Sequence, residues 1–173
     1  PIHEKVVELG GQMGCYNGWE RANWFAKEGD DTSTASAQTW ERNGPWEKRV
    51  KEECEAVRDS VGVLDLPGFS RYELKGKGCE DLLDKLVVGK LPNKGRISLS
   101  YFSDHRGRIL TEMSIMKHSD QHFTLITAAA AQWHDYELLL RSIDPNSDIT
   151  LEDKSKEVGT LIVTGPKSRD LFN

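Results

Sequence analysis

"RISLSYFSDHRGRILTEMSIMKHSDQHFTLITA", Arg96 to Ala128, is the stretch that decides the fold. In its first part Ile97, Leu99 and Tyr101 alternate with Ser98, Ser100 and Phe102, the period of a strand. "DHRG" turns the chain into "RILTEMSIMK", and "SDQ" turns it again into "HFTLITA", so three consecutive antiparallel strands form a meander. Side chains along a strand point alternately to its two faces. Ile109, Thr111, Met113 and Ile115 therefore share one face of the middle strand, and Leu110, Glu112, Ser114 and Met116 share the other. Only one of the neighbours Thr111 and Glu112 faces the interior.

Outward from the meander, the chain alternates between helix and strand patterns. "PWEKRVKEECEAVRDSVGV" repeats Trp46, Val50, Cys54, Val57 and Val61 at helical spacing between Pro45 and Gly62. "FSRYELKG" is short, aromatic and bounded by Pro67-Gly68 and Gly76, as a strand should be. "GCEDLLDKLVVG" puts Leu82, Leu83, Leu86 and Val87 on one helical stripe. After the meander, "AAAAQWHDYELLLRSI" reads as a helix that buries Trp133, Leu138, Leu139 and Ile143. "DITLEDK" and "GTLIVTG" are two further strands, and Gly165-Pro166 opens a last helix. The expected fold is α+β: a mainly antiparallel sheet with helices on one face.

The 173 residues suffice for one main domain with an extension. With 23 Lys and Arg against 28 Asp and Glu, the net charge of −5 argues against nucleic-acid binding. No window is apolar enough for a membrane span. The three cysteines are widely spaced and form no C-x-x-C pair, which points to a reducing compartment without disulfides. "DDTSTASAQTWERNGP", residues 30–45, reads as a loop or linker after an aromatic-rich leader at 1–29. The start and the last residues have the look of internal cuts, so the chain is expected to be a fragment.

Among the residue patterns that suggest chemistry, His118 and His122 bracket a turn and His105 lies in the preceding one. No Cys or Glu stands near them in sequence to complete a metal shell, so no metal is expected. The glycines of "KGKG" and "NKGR" fit no phosphate-loop pattern. "GWERANWF", Gly18 to Phe25, carries more aromatic area than a free segment would expose. It is either packing or a lid over a planar ligand. Glu112 is either a solvent-face residue or a carboxylate placed for proton transfer or amine binding.

Four stretches taken together resemble a known family: "PIHEKVVELGGQMGCYNGWERANWF", "VGVLDLPGFSRYELKGKGCEDLLDKL", "GRISLSYFSDHRGRILTEMSIM" and "LIVTGPKSRDLF". They look like the tetrahydrofolate-binding part of dimethylglycine and sarcosine dehydrogenases, homologous to the T protein (aminomethyltransferase) of the glycine cleavage system. The resemblance implies that residues 1–29 are a connecting arm from a preceding domain and that 46–173 are the first part of a T-protein-like folate-binding domain. It implies tetrahydrofolate as cofactor, with FAD only in a preceding domain that this chain lacks. A small N-methyl amine such as dimethylglycine or sarcosine would be the donor, its one-carbon unit captured as 5,10-methylenetetrahydrofolate. The isolated piece would be inactive and would pack on missing domains of its own chain. The compartment would be cytoplasmic, or the mitochondrial matrix in a eukaryote. Alternatives under the same resemblance are a folate-dependent demethylase of another donor and a folate-binding module without chemistry.

T proteins read G-G-[IV]-x-D-D at the first meander turn, and alignment on Gly107 puts Thr111 at the first acid and Glu112 at the second. These two are the expected catalytic positions. Leu99 falls where T proteins carry a tyrosine and Ala128 where they carry an asparagine. With Tyr101 and Trp24, which offer rings to pack on a pterin, they form the expected cofactor-binding set. Asp135 matches a recurrent family acid, and a helix-surface role for it stays open.

Overall fold

The structure, a computed structural model, describes residues 2–16, 18–33 and 43–173. In chain order the elements are α1 (His3–Glu8), β1 (Gly11–Tyr16), β2 (Trp19–Phe25), α2 (Glu47–Asp59), β3 (Gly62–Asp65), β4 (Phe69–Lys75), α3 (Cys79–Leu86), β5 (Val87–Val88), β6 (Ile97–Ser103), β7 (Ile109–Ser119), β8 (His122–Ala128), α4 (Gln132–Ser142), β9 (Thr150–Asp153) and β10 (Leu161–Thr164). A single 3-10 turn, Asp170–Phe172, stands where the last helix was expected. The elements fall into two compact units, Gly68–Val158 on one side and Pro1–Pro67 with Gly159–Asn173 on the other. Contacts define these units, whereas composition and resemblance define the arm, linker and module of the sequence reading. Most of the linker, residues 34–42, lies outside the described residues.

In the discontinuous unit, β1 and β2 form an antiparallel hairpin with Tyr16 opposite Trp19. The sequence pair Asn17-Gly18 is a strong hairpin signal, and Gly18 takes a positive φ (+83°). The aromatic Trp24 is 2% exposed, and its indole Nε1 has no acceptor among the described residues. β3 pairs antiparallel with β10. Helix α2 has the expected apolar spacing, yet it buries no residue, and Cys54 and Val57 are exposed.

Polar contacts tie α2 to the segment after β2. Arg49 grips Asp30 with two hydrogen bonds, Nε to Oδ2 at 2.7 Å and Nη2 to Oδ1 at 2.9 Å. It also donates to Glu52, which takes Lys27 at 2.8 Å. The Arg49 guanidinium, helped by the Lys27 backbone N–H, holds the Asp30 carboxyl down at about 2. A group whose pKa falls on folding stabilises the fold above its unfolded value and loses that contribution as pH drops through the folded value. Asp30→Asn is therefore expected to lower thermal stability at pH 6, with the gap from the parent chain closing between about pH 4 and pH 2. Melting curves of both proteins across that range check this; a gap that does not change with pH would exclude the ion pair as its cause.

The contiguous unit is a six-stranded sheet in the order β5-β6-β7-β8-β4-β9, with every neighbouring pair antiparallel. The expected meander is β6-β7-β8 at its centre. Helices α3 and α4 cover one face. Cys79 and Leu83 of α3 and Leu139 of α4 join Tyr72, Leu74, Phe102, Met113, Ile115, Phe123 and Leu125 of the sheet in one core. Fully burying side chains of this size contributes roughly 1.5–3 kcal/mol each.

Trp133, expected in that core, is 74% exposed. Helical geometry explains the difference: α4 turns Gln132, Asp135 and Leu139 inward, a stripe spaced three and four apart, and this leaves Trp133, Glu137 and Leu140 on the outer side. The inner stripe is more polar than the outer one. Tyr72 compensates in part by donating its buried hydroxyl to the Gln132 carbonyl at 2.6 Å, and burial raises the pKa of that phenol well above its ordinary value.

Candidate functional site

The two faces of the meander differ in chemistry, and the pairing register says which residue stands on which. Ser100 and Phe102 of β6 and Met113 and Ile115 of β7 are buried on the helix-covered face. Thr111 shares that face. On β6 and β7 the opposite face is open: Leu99 is 57% and Tyr101 43% exposed, and Glu112, directly across from Tyr101, is exposed as well. One step along, Leu99 faces Ser114, which in turn pairs with Ile126 of β8. An aromatic ring, aliphatic side chains and one carboxylate therefore lie side by side on this face, most exposed on β6 and β7.

Thr111 and Glu112, adjacent in sequence, are thus separated by the thickness of the sheet. A single wall containing Tyr101, Thr111 and Ile126 does not form, because strand alternation sends Thr111 to the other side. Ala128 is exposed at the end of β8, paired with Phe69. Trp24 belongs to the other unit and is buried.

On the covered face the structure builds a polar cluster that the sequence reading did not assemble. Asp135, fully buried on α4, accepts a hydrogen bond from Thr111 Oγ1 at 3.1 Å and from Thr127 Oγ1 at 2.5 Å. Its other oxygen lies 2.9 Å from Nδ1 of His134, whose ring is about half exposed. A buried carboxylate needs such partners, since taking a charge out of water without them costs several kcal/mol. The alternation that separates Thr111 from Glu112 was visible in the sequence; that Thr111 is the inward one, and that it converges with Thr127 on a helix residue, was not. This cluster holds α4 to the sheet beneath the open face.

His118 and His122 are brought to the open face at the other end of β7 and β8, and the fold adds Glu73 of β4 to them. Sequence proximity gave no sign of that third residue, because Glu73 reaches the pair only through the β4–β8 ladder, in which it faces Thr124. Among the described residues, no helix is long and apolar enough to cross a membrane.

Comparison with known proteins gives the fold a family context. Residues 2–173 match the family described as the GCVT N-terminal domain. The chain is 31% identical over 166 residues to the mitochondrial dimethylglycine dehydrogenase of Rattus norvegicus and 32% over 170 residues to that of Mus musculus, covering 95% of this chain and 19% of each relative. It is 28% identical over its whole length to the formaldehyde-forming 4-methylaminobutanoate oxidase of Paenarthrobacter nicotinovorans, of which it covers 21%. The chain thus spans about a fifth of the length of these relatives. Among solved structures, the glycine cleavage system aminomethyltransferase T of Bartonella henselae superposes over 99% of this chain and 42% of its own, with a TM-score of 0.74 at 16% identity, and so shares the fold. The match across nearly all of its residues, on an antiparallel sheet of the expected architecture, places the chain in the GCVT N-terminal domain family.

Proposed function

We propose that this chain is the folate-binding first part of a larger enzyme that captures the one-carbon unit of an oxidised N-methyl amine, dimethylglycine or sarcosine, as 5,10-methylenetetrahydrofolate. The observation that carries this reading is the open face of the sheet, where Tyr101 and Glu112 stand opposite each other beside Leu99. A pteridine has two apolar faces and an edge of N–H groups, and these residues suit both: the aliphatic and aromatic side chains offer a flat wall, and the carboxylate accepts from an N–H. When bound, tetrahydrofolate supplies the two amines that take the one-carbon unit.

The residues of the chain then have distinct tasks. Leu99 and Tyr101 present a surface that repels water and orients a ring, and that positioning is worth much of the rate when an electrophile must meet an amine before water does. Glu112 accepts a ligand N–H and receives a proton as the amine reacts. Thr111 acts from the other side of the sheet, through Asp135, by fixing the backbone that carries Glu112. Ala128 leaves room at the end of β8. The exposed apolar side chains Ile97, Leu99 and Leu110 suit a wall that the remaining domains of the intact chain close. FAD would belong to such a domain, and the compartment would be cytoplasmic, or the mitochondrial matrix in a eukaryote.

The test is product analysis with the full-length protein. Incubated with dimethylglycine or sarcosine and tetrahydrofolate, it is expected to yield methylenetetrahydrofolate in place of free formaldehyde. Methyltetrahydrofolate formed from another donor would replace this reading with that of a demethylase. Release of free formaldehyde, with methylenetetrahydrofolate forming no faster than from formaldehyde and tetrahydrofolate mixed without the protein, would leave a module without chemistry.

A further inference from the structure

The open face of the sheet carries a second cluster of side chains, about 20 Å along β7 from Glu112 at strand rise, and nothing in the folate reading uses it. His118 is the next-to-last residue of β7 and His122 the first of β8, so the two imidazoles flank one turn and stack, ring centroids 4.4 Å apart and planes inclined by 26°. β4 runs antiparallel beside β8, with Glu73 opposite Thr124 and Lys75 opposite His122. Glu73 Oε2 meets His122 Nε2, while Oε1 accepts from Thr124 Oγ1 at 2.6 Å. Thr124 Oγ1 also lies 2.8 Å from His118 Nε2. One ligand atom from each of Glu73, His118 and His122 falls within 4.8 Å of the others.

We propose that Glu73, His118 and His122 bind one divalent transition cation of the zinc class, with at least one coordination position left open to water or a ligand. Two imidazoles and one carboxylate form a borderline donor set that suits zinc and its neighbours, whereas magnesium and calcium require oxygen ligands throughout. Three protein ligands leave a tetrahedral ion one free position. Donors about 2.0–2.2 Å from zinc stand closer together than 4.8 Å, and His118, exposed and on a strand end, closes the gap by rotating its ring. Thr124 keeps its hold on the second Glu73 oxygen and orients the carboxylate, as outer hydrogen bonds do in metal sites.

In the metal-free chain the Glu73 carboxylate is held between Thr124 and His122. Lys75 is the opposing charge, with Nζ 3.8 Å from Glu73; it also has Glu152 at 3.6 Å, and its side chain is exposed enough to turn there alone. The sequence objection to a metal, that no acid completes the histidine pair, is met by a residue 45 positions before His118.

The experiment is titration of the metal-stripped full chain with Co²⁺ by visible absorbance and with Zn²⁺ by calorimetry. One equivalent is expected to bind, with d–d bands of low coordination number and no thiolate charge-transfer band. His118→Ala, His122→Ala and Glu73→Gln are each expected to weaken binding at least about tenfold. His118→Ala removes an exposed side chain, so it tests the site without endangering the fold, and circular dichroism verifies the other two. No saturable binding by the parent chain, or binding unchanged in all three variants, would overturn the proposal.

Discussion

Glu112→Gln in the full-length protein is expected to cut methylenetetrahydrofolate formation by about a hundredfold, the scale of a lost general acid–base group. The substitution keeps the shape and the exposed position of the side chain, so the chain's stability should change by no more than about 0.5 kcal/mol. That combination separates chemistry from folding. Thr111→Val is the internal control, because Thr111 lies across the sheet and its hydroxyl is committed to Asp135. It should cost about 1 kcal/mol of stability and much less activity than Glu112→Gln. Activity that survives Glu112→Gln but fails in Thr111→Val would transfer the role to the covered face and undo the assignment made here. Steady-state product yield and chemical denaturation, measured on the same preparations, decide between the two.

Asp135→Ala is expected to destabilise the contiguous unit by about 3 kcal/mol, which for a unit of this size lowers its melting temperature by roughly 12–24 °C. Removal of the carboxylate strands the hydroxyls of Thr111 and Thr127 and takes from His134 the partner of its Nδ1. It also leaves a void under α4, where the surrounding core is tightly packed. Asp135→Asn retains one acceptor oxygen and should cost roughly a third as much, since only the charge-assisted part of the network is lost. A Thr111→Val/Thr127→Val pair combined with Asp135→Ala should cost less than the sum of the separate changes, because the stranded donors are gone. If Asp135→Ala unfolds at the same denaturant concentration as the parent chain, the cluster contributes nothing to holding the helix.

The alternation between Arg96 and Ala128 was enough to establish three antiparallel strands and the partition of Thr111 from Glu112, and the helix and strand patterns on either side of it gave an α+β fold with helices on one face. Helices α2, α3 and α4 were legible for the same reason, since apolar periodicity, and for α2 the bounding Pro45 and Gly62, are local properties of the chain. The resemblance to folate-binding modules was legible for the same reason, as it rests on collinear stretches that need no coordinates.

Which face of the sheet is covered was not a local property. On β6 the more apolar set, Ile97, Leu99 and Tyr101, is the open one, and the set with two serines is buried, because α3 and α4 dock on the side of Phe102, Met113 and Phe123. That docking decides that Glu112 looks outward and Thr111 inward. It also explains why Trp133 is outside and Asp135 inside: a helix stripe can bury a carboxylate only if hydroxyls from two strands meet it there. Glu73 reaches His118 and His122 by a ladder between strands some 50 residues apart in sequence. Periodicity assigns side chains to faces; only the packing of one element on another says what each face touches, and both clusters described here depend on that contact.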